Sequence, residues 1–471
     1  MRMGHFARAD LVELPEPPPP GPLVNPDLAP TPLSARTWGR WHIASLWVGL
    51  SVCIPTYMLA ASMIQAGMTW WESLAAILLG NAIVLVPMIV NAHAGTRYGI
   101  PFPVYARAAY GPRGAHVPAL LRAVVACGWF GIQTWIGALA ISALIAFLWP
   151  GWTGLGGEWR LMGHGLPEYA GFLIFWAVNL WFVWPGTEGI KWMETLAAPF
   201  LIAMGLALLA WAMNRVGGLD VILAQSAALT TAPRPEGSAW LLGVFVPWLT
   251  AMVGYWATLS LNIPDFTRYA RSQADQAVGQ TVGLLITMPL FAFIGIAVTS
   301  ATVLLYGEAI WNPVDLVIRL ANEYRNPLLG VLAMFAILVA TLTTNVAANV
   351  VAPANSFANL SPGRISFRTG GLIAGVLGIV ILPWKLLDMY QGWLIAYSGL
   401  LGAVGGVLMC DYAVIRRGKL RLADLYRSDG AYAYAGGVNR SAIVATGFGV
   451  LVALLGLVVP RLDFLFSGAW F

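Results

Sequence analysis

Apolar runs of 18 or more residues recur along most of this 471-residue chain. Each is long enough to cross the roughly 30 Å of hydrocarbon in a bilayer. Backbone in hydrocarbon must satisfy its own hydrogen bonds, and a continuous apolar run of that length does so as a helix. The runs fall at about 41–66, 73–95, 117–147, 167–186, 190–213, 240–263, 278–305, 327–351, 370–387, 391–415 and 441–460. They predict an all-α polytopic membrane protein with eleven spans. Only 10% of the residues are charged and 59% are hydrophobic, whereas a soluble chain carries about 25% charged residues. Bilayer embedding accounts for the shortage.

The basic residues orient the spans. With the N-terminus inside, nineteen of the 26 Lys and Arg residues fall on the cytoplasmic side and seven outside, as the positive-inside rule requires. A cytoplasmic (inner) membrane location follows, and the net charge of +5 reports topology without invoking nucleic acid. Residues 1–38 hold nine prolines, including the run PEPPPP, and are read as a disordered cytoplasmic tail. Asp10, Glu13 and Glu16 interrupt any apolar core that a signal peptide would need. A ten-span transporter core then occupies 39–415, a basic cytoplasmic loop 416–440, and an eleventh span with a short tail 441–471. The final RLDFLFSGAWF is too short to add a twelfth span.

Glu72, Glu188, Glu194, Asp265, Asp388 and Asp411 are read as marking span boundaries, which leaves no Asp, Glu, Lys or Arg at a span centre. Ionisable groups in mid-membrane are the usual mark of proton relays. Their absence argues against a carboxylate proton wire and against a charged substrate. Amides, hydroxyls, indoles and irregular backbone remain, and these suit a neutral, polar, planar molecule with any cation held by oxygen dipoles. Cys53, Cys127 and Cys410 lack metal-site spacing, the five histidines are scattered and HExxH is absent. No cofactor and no enzymatic activity are expected.

Three constellations carry the chemistry. In WVGLSVCIPTYML, Pro55 removes a backbone donor and frees a carbonyl near Gly49 to Val52. In WLTAMVGYWATLSLNIPDF, Gly254 and Pro264 mark a second interruption, five spans later. Broken helices at matching positions of two halves point to a transporter binding site, although an ordinary proline kink fits each one separately. In GWFGIQTWIGALA, Trp129 and Gln133 stand at i and i+4 on one helix face. They offer a stacking surface and a donor–acceptor pair, or else plain interhelical packing. In ATLTTNVAANVV, Thr341, Asn345 and Asn349 form a polar stripe. Thr343 and Thr344 add adjacent hydroxyls one turn from the Ala340 carbonyl, the oxygen chemistry that a hard cation prefers. Back-bonding to the helix and gluing of neighbours are the bland alternative.

Together NPDLAPTP, WVGLSVCIPTYMLA, GIPFPVYARAAYG, GWFGIQTWIGALA, WATLSLNIPDFTRYA, TTNVAANVVAP and DYAVIRRGKLRLADLY resemble the nucleobase:cation symporter-1 family, which includes hydantoin, allantoin, uracil and cytosine permeases. The resemblance runs from about Asn25 to the end. It implies a LeuT-like 5+5 inverted repeat with discontinuous first and sixth spans, in a family of twelve spans. It implies Trp129 and Trp256 as stacking residues, Gln133 and Asn349 as substrate amides, and Leu394 as a cap. It also implies a Na⁺ site made of the Gly49, Val52 and Ala340 carbonyls with the Thr343 and Thr344 hydroxyls; some relatives use protons instead. Two positions depart from the pattern. Cys53 stands where the hydantoin permease has a substrate-touching glutamine, and Tyr255 where it has a glycine, so both enter the expected substrate site and weigh against hydantoin itself. The expected function is a monomeric symporter importing uracil, cytosine, allantoin or a hydantoin with Na⁺, or with H⁺ as the alternative ion. A LeuT-fold carrier of an amino acid ranks lower, for want of a mid-membrane acid to hold an ammonium. A channel or an intramembrane enzyme ranks lower still.

Overall fold

The computed structural model describes residues 10–182, 186–225 and 235–468. Helices α1 (Arg40–Ser51), α2 (Ile54–Gln65), α3 (Trp70–Tyr98), α4 (Phe102–Tyr110), α5 (His116–Leu148), α6 (Leu166–Trp181) and α7 (Gly186–Val216) make the first half. The second half comprises α8 (Leu219–Gln225), α9 (Gly237–Trp240), α10 (Val246–Asn262), α11 (Pro264–Thr267), α12 (Gln273–Tyr306), α13 (Pro313–Glu323), α14 (Pro327–Asn349), α15 (Val351–Leu360) and α16 (Phe367–Val380). It is completed by α17 (Pro383–Asp388), α18 (Tyr390–Met409), α19 (Arg440–Val458) and α20 (Asp463–Ser467). A two-residue hairpin pairs Arg160–Leu161 with His164–Gly165 outside the helical layers.

Each apolar run of the sequence lands on a helix. Among the described residues, eight helices are long and apolar enough to cross a membrane, or nine if the bent pair α1–α2 counts as one span. The runs at 167–186 and 370–387 give α6 with 16 residues and α16 with 14. At 1.5 Å per residue these reach only about 24 and 21 Å, short of the full hydrocarbon thickness.

The helices gather into two groups. Helices α1, α3, α10 and α12 pack on one another, and α5, α6, α14, α15 and α16 do the same. Counting spans along the chain, each group takes two consecutive spans and the two that follow five later. That is the arrangement an inverted five-plus-five repeat produces. Helix α7 bridges the groups, touching α1 and α12 on one side and α14 on the other.

The first span breaks as expected, by 57°. Helix α1 ends at Ser51, Val52 and Cys53 leave helical geometry, and α2 restarts with Pro55 in its first turn. There the missing N–H costs nothing. The sixth span corrects the expectation: it runs helically from Gly237 to Asn262 with no break at Gly254. A π-helical turn at Leu241–Phe245 and the restart at Pro264 are its only irregularities. Gly254 serves packing instead, since a β-carbon there would lie 2.5 Å from the Leu394 carbonyl of α18. Gly254→Ala is therefore expected to cost about 1–3 kcal/mol by overpacking, read as a lower melting temperature of the purified protein.

Residues 10–38 also differ from expectation. Residues 1–9 lie outside the described region, but the remainder is strapped to the helix ends. The Thr31 amide donates to Gly99 O at 2.8 Å, and the buried Arg36 guanidinium donates to the Thr31, Thr96 and Val12 carbonyls at 2.9–3.0 Å. Asn25 Nδ2 donates to Ile365 O, and Arg107 and Tyr426 donate to the Leu23 and Leu28 carbonyls. Burial lowers Arg36 to about 10, so it stays charged at neutral pH. Proline blocks helix and leaves the segment's carbonyls free, and the buried Arg36 and Arg107 take up those of Val12, Leu23 and Thr31.

One further correction concerns charge. Glu194 lies about two turns inside α7 and is only 1% exposed. It is no boundary marker.

Candidate substrate and cation site

Five of the seven residues expected to bind substrate come from three helices. Trp129 and Gln133 share a face of α5, Tyr255 and Trp256 follow Gly254 on α10, and Asn349 ends α14. All five, with Thr344, line one small cavity against the end of α1 at Leu50. None of its lining residues carries a charge.

The rings crowd this cavity. Tyr255 meets Trp129 edge-on with centroids 5.4 Å apart, and it meets Trp256 at 4.7 Å. The indoles are anchored by their N–H groups: Trp129 Nε1 donates to Tyr397 Oη at 3.1 Å and Trp256 Nε1 to Asn81 Oδ1 at 3.0 Å. Their faces, rather than their polar edges, are what remains for a ligand. The free volume is about 20 Å³, room for roughly one water molecule. A planar ring is larger than this space and enters only if lining side chains such as Tyr255 rearrange.

The two amides differ. Asn349 Nδ2 donates to Asn345 Oδ1 at 3.0 Å. Gln133 is 2% exposed, and no protein group donates to its Oε1. A buried amide carbonyl without a partner costs about 1–3 kcal/mol, which a bound N–H would recover.

Cys53 and Leu394 stand apart from this cavity. Cys53 lines a second, larger and mostly apolar cavity of about 120 Å³ between α2, α7, α12 and α14. Cys53 meets the first cavity's lining at Tyr255, whose hydroxyl lies 3.2 Å from Cys53 Sγ and 3.0 Å from Thr56 Oγ1. Leu394 is fully buried on α18, its carbonyl against Gly254.

Four of the five oxygens expected to hold a cation come together across the group boundary. Thr344 Oγ1 donates to Gly49 O at 2.6 Å and shares Ala340 O at 3.0 Å with Thr343 Oγ1. Val52 caps α1 beside them and joins Ala340 in one buried apolar cluster. Four neutral oxygens thus draw together where α1 ends, a set that suits a hard monovalent ion.

The rest of the polar stripe is structural. Thr341 bonds back to Ile337 O, and Asn345 bridges Phe130 O, Thr134 Oγ1 and Asn179 Oδ1 within the second helix group. Sequence reasoning missed the anchors Asn81 and Tyr397, whose only signal was a lone polar group inside an apolar run. It also missed Arg122, wholly buried, which donates to Asn262 Oδ1 and to the carbonyl of Ala348, the neighbour of Asn349.

Residues 30–471 match the family described as permease for cytosine/purines, uracil, thiamine and allantoin. The chain belongs to this permease family. The permease is 44% identical over 447 residues to the purine-uracil permease NCS1 of Arabidopsis thaliana, covering 92% of this chain and 71% of that one. It is 41% identical over 452 residues to the allantoin permease of Bacillus subtilis, covering 95% and 90%. Among solved structures it is similar to Mhp1, a nucleobase-cation-symport-1 family transporter, in a closed conformation with bromovinylhydantoin bound. The TM-score is 0.79 at 27% identity, covering 95% of this chain and 94% of that one. The fold also matches MhsT in complex with L-phenylalanine, with a TM-score of 0.59 at 15% identity. The relatives that match are permeases, not enzymes.

Proposed function

We propose that this permease is a cation-coupled symporter for a neutral, planar nitrogen heterocycle of the uracil, cytosine or allantoin class. The observation that carries the reading is the unpaired Gln133 carbonyl in an uncharged cavity shared with Trp129, Trp256 and Asn349. A flat ring taking the place of the Tyr255 side chain would lie against indole faces, each stack contributing about 1–3 kcal/mol by analogy with base–aromatic stacking. Gln133 and Asn349 would read its amide edge. A solute lacking that edge leaves Gln133 unpaired and is rejected.

Na⁺ is the favoured partner. Held by the Gly49, Val52 and Ala340 carbonyls and the Thr343 and Thr344 hydroxyls, it would tie α1 of one helix group to α14 of the other. Substrate and cation then stabilise the same arrangement of the groups, and each raises the other's affinity by the same factor.

Purified permease in proteoliposomes, offered radiolabelled uracil, cytosine, allantoin and hydantoin with and without a Na⁺ gradient, tests the reading. Accumulation of at least one ring driven by Na⁺ is the expected result. Accumulation that follows a pH gradient and ignores Na⁺ would reassign the coupling to protons. Thr344→Ala removes the hydroxyl that joins Gly49 to Ala340. The Na⁺ concentration for half-maximal uptake should rise about tenfold or more, the equivalent of one lost ligand at about 1.4 kcal/mol.

A further inference from the structure

A carboxylate that the uncharged-cavity picture does not use lies beside the cation oxygens. Glu194, Ala197, Ala198 and Leu201 follow the i, i+3, i+4, i+7 pattern of one face of α7. The three apolar members pack in one buried cluster with Val48 of α1, its cap Val52 and Ala340 of α14. Glu194 heads that face at 1% exposure, and neither of its oxygens meets a protein donor. Its Oε2 presses on the backbone of Gly49, so closely that a β-carbon at position 49 would collide with it. The Gly49 carbonyl is the one that accepts from Thr344. The unpartnered carboxyl group of a third helix therefore abuts Gly49, a member of the oxygen cluster.

Taking a carboxylate out of water costs several kcal/mol unless an opposite charge compensates it. Among the described residues no Lys or Arg forms an ion pair with Glu194. The backbone of Gly49 on α1, which it touches, carries no positive charge to offset a negative one. A small cation among the cluster's oxygens can supply it.

We propose that Glu194 is a charged member of the cation site, completing from α7 the set that α1 and α14 begin. This inference rests on the cation-coupled reading above and deepens it. One carboxylate and neutral oxygens make a site of net charge −1, which a monovalent alkali ion neutralises and a divalent ion overfills. The ion would then fasten α7 as well as α1 and α14. Gly49 is required at its position because any side chain there would displace the carboxylate.

The test is thermal unfolding of the full-length permease in detergent, titrated with NaCl against choline chloride at constant ionic strength, for wild type, Glu194→Gln, Glu194→Asp and Thr344→Ala. Expected is a saturable rise of the wild-type melting temperature with Na⁺ and loss of that rise in Glu194→Gln. The glutamine variant should melt no lower than wild type in choline, since without a cation the carboxyl has no protein partner to lose. Glu194→Asp keeps the charge one methylene short and should need about tenfold more Na⁺. If Glu194→Gln, or Glu194→Asp should the former not fold, responds to Na⁺ like wild type while Thr344→Ala does not, the role of Glu194 is overturned and the coupling reading stands. If wild type itself ignores Na⁺, both are overturned.

Discussion

Gln133→Leu should lose about 10- to 100-fold in affinity for the transported ring while the empty protein melts at the same temperature or higher. The two effects have one cause. In the closed cavity Gln133 Oε1 has no protein donor, so the amide is a standing cost of about 1–3 kcal/mol that only a ligand recovers. Leucine has a similar size and no polar atom, so the empty protein loses nothing. The ligand loses a donor–acceptor pair, which in base recognition discriminates by about 1–3 kcal/mol. Such opposition between stability and function marks a binding residue, whereas an amide gluing helices together would lower the melting temperature when removed. Binding of radiolabelled uracil and allantoin to purified protein, beside thermal unfolding of the same samples, makes the measurement. Unchanged affinity for every ring that wild type binds would refute amide readout by Gln133.

The same residue shows what a sequence can disclose about such a protein. Trp129 and Gln133 were legible because helical spacing puts i and i+4 on one face, whatever the neighbours do. The spans were legible because hydrocarbon imposes length and apolarity locally. What escaped depended on partners far away in the chain. Gly254 looked like a helix break and proved a point of close approach to Leu394, because the absence of a side chain serves either use. Pro55 did mark a real break, but the helix parts at Val52–Cys53, upstream of the ring, which then opens α2. Glu194 looked like a span end because hydropathy averages over a window, whereas its burial comes from a contact with Gly49 about 145 positions earlier. The proline-rich segment looked unstructured because its bonds run to Gly99, Ile365 and Tyr426. Thr341 and Asn345 shared a stripe with Asn349, yet Thr341 bonds back to Ile337 of its own helix while Asn345 reaches across to Phe130, Thr134 and Asn179. A stripe fixes direction on one helix and leaves open what lies opposite.

The two departures from the hydantoin-permease pattern predict the largest change in selectivity. Cys53 and Tyr255 are 202 positions apart, yet Sγ and Oη lie 3.2 Å from each other, and the same hydroxyl meets Thr56 Oγ1 at 3.0 Å. They act as one unit: the phenol fills space between the indoles, and the small thiol makes room for its hydroxyl. Cys53→Gln alone should overpack against Tyr255 and impair binding of every ring. Tyr255→Gly alone opens the space but leaves Cys53 and Thr56 without their shared partner. Made together, they supply an amide where the ring was and a cavity for the ligand. Selectivity for hydantoin over uracil should then rise by about tenfold or more beyond the product of the single changes. That excess corresponds to a coupling of at least about 1.4 kcal/mol, within the range found for residues in contact. Competition of unlabelled hydantoin against radiolabelled uracil in all four variants measures it directly. Strictly additive effects would mean that the two positions act on the ligand independently, and that the thiol–phenol contact has no part in setting which heterocycle is carried.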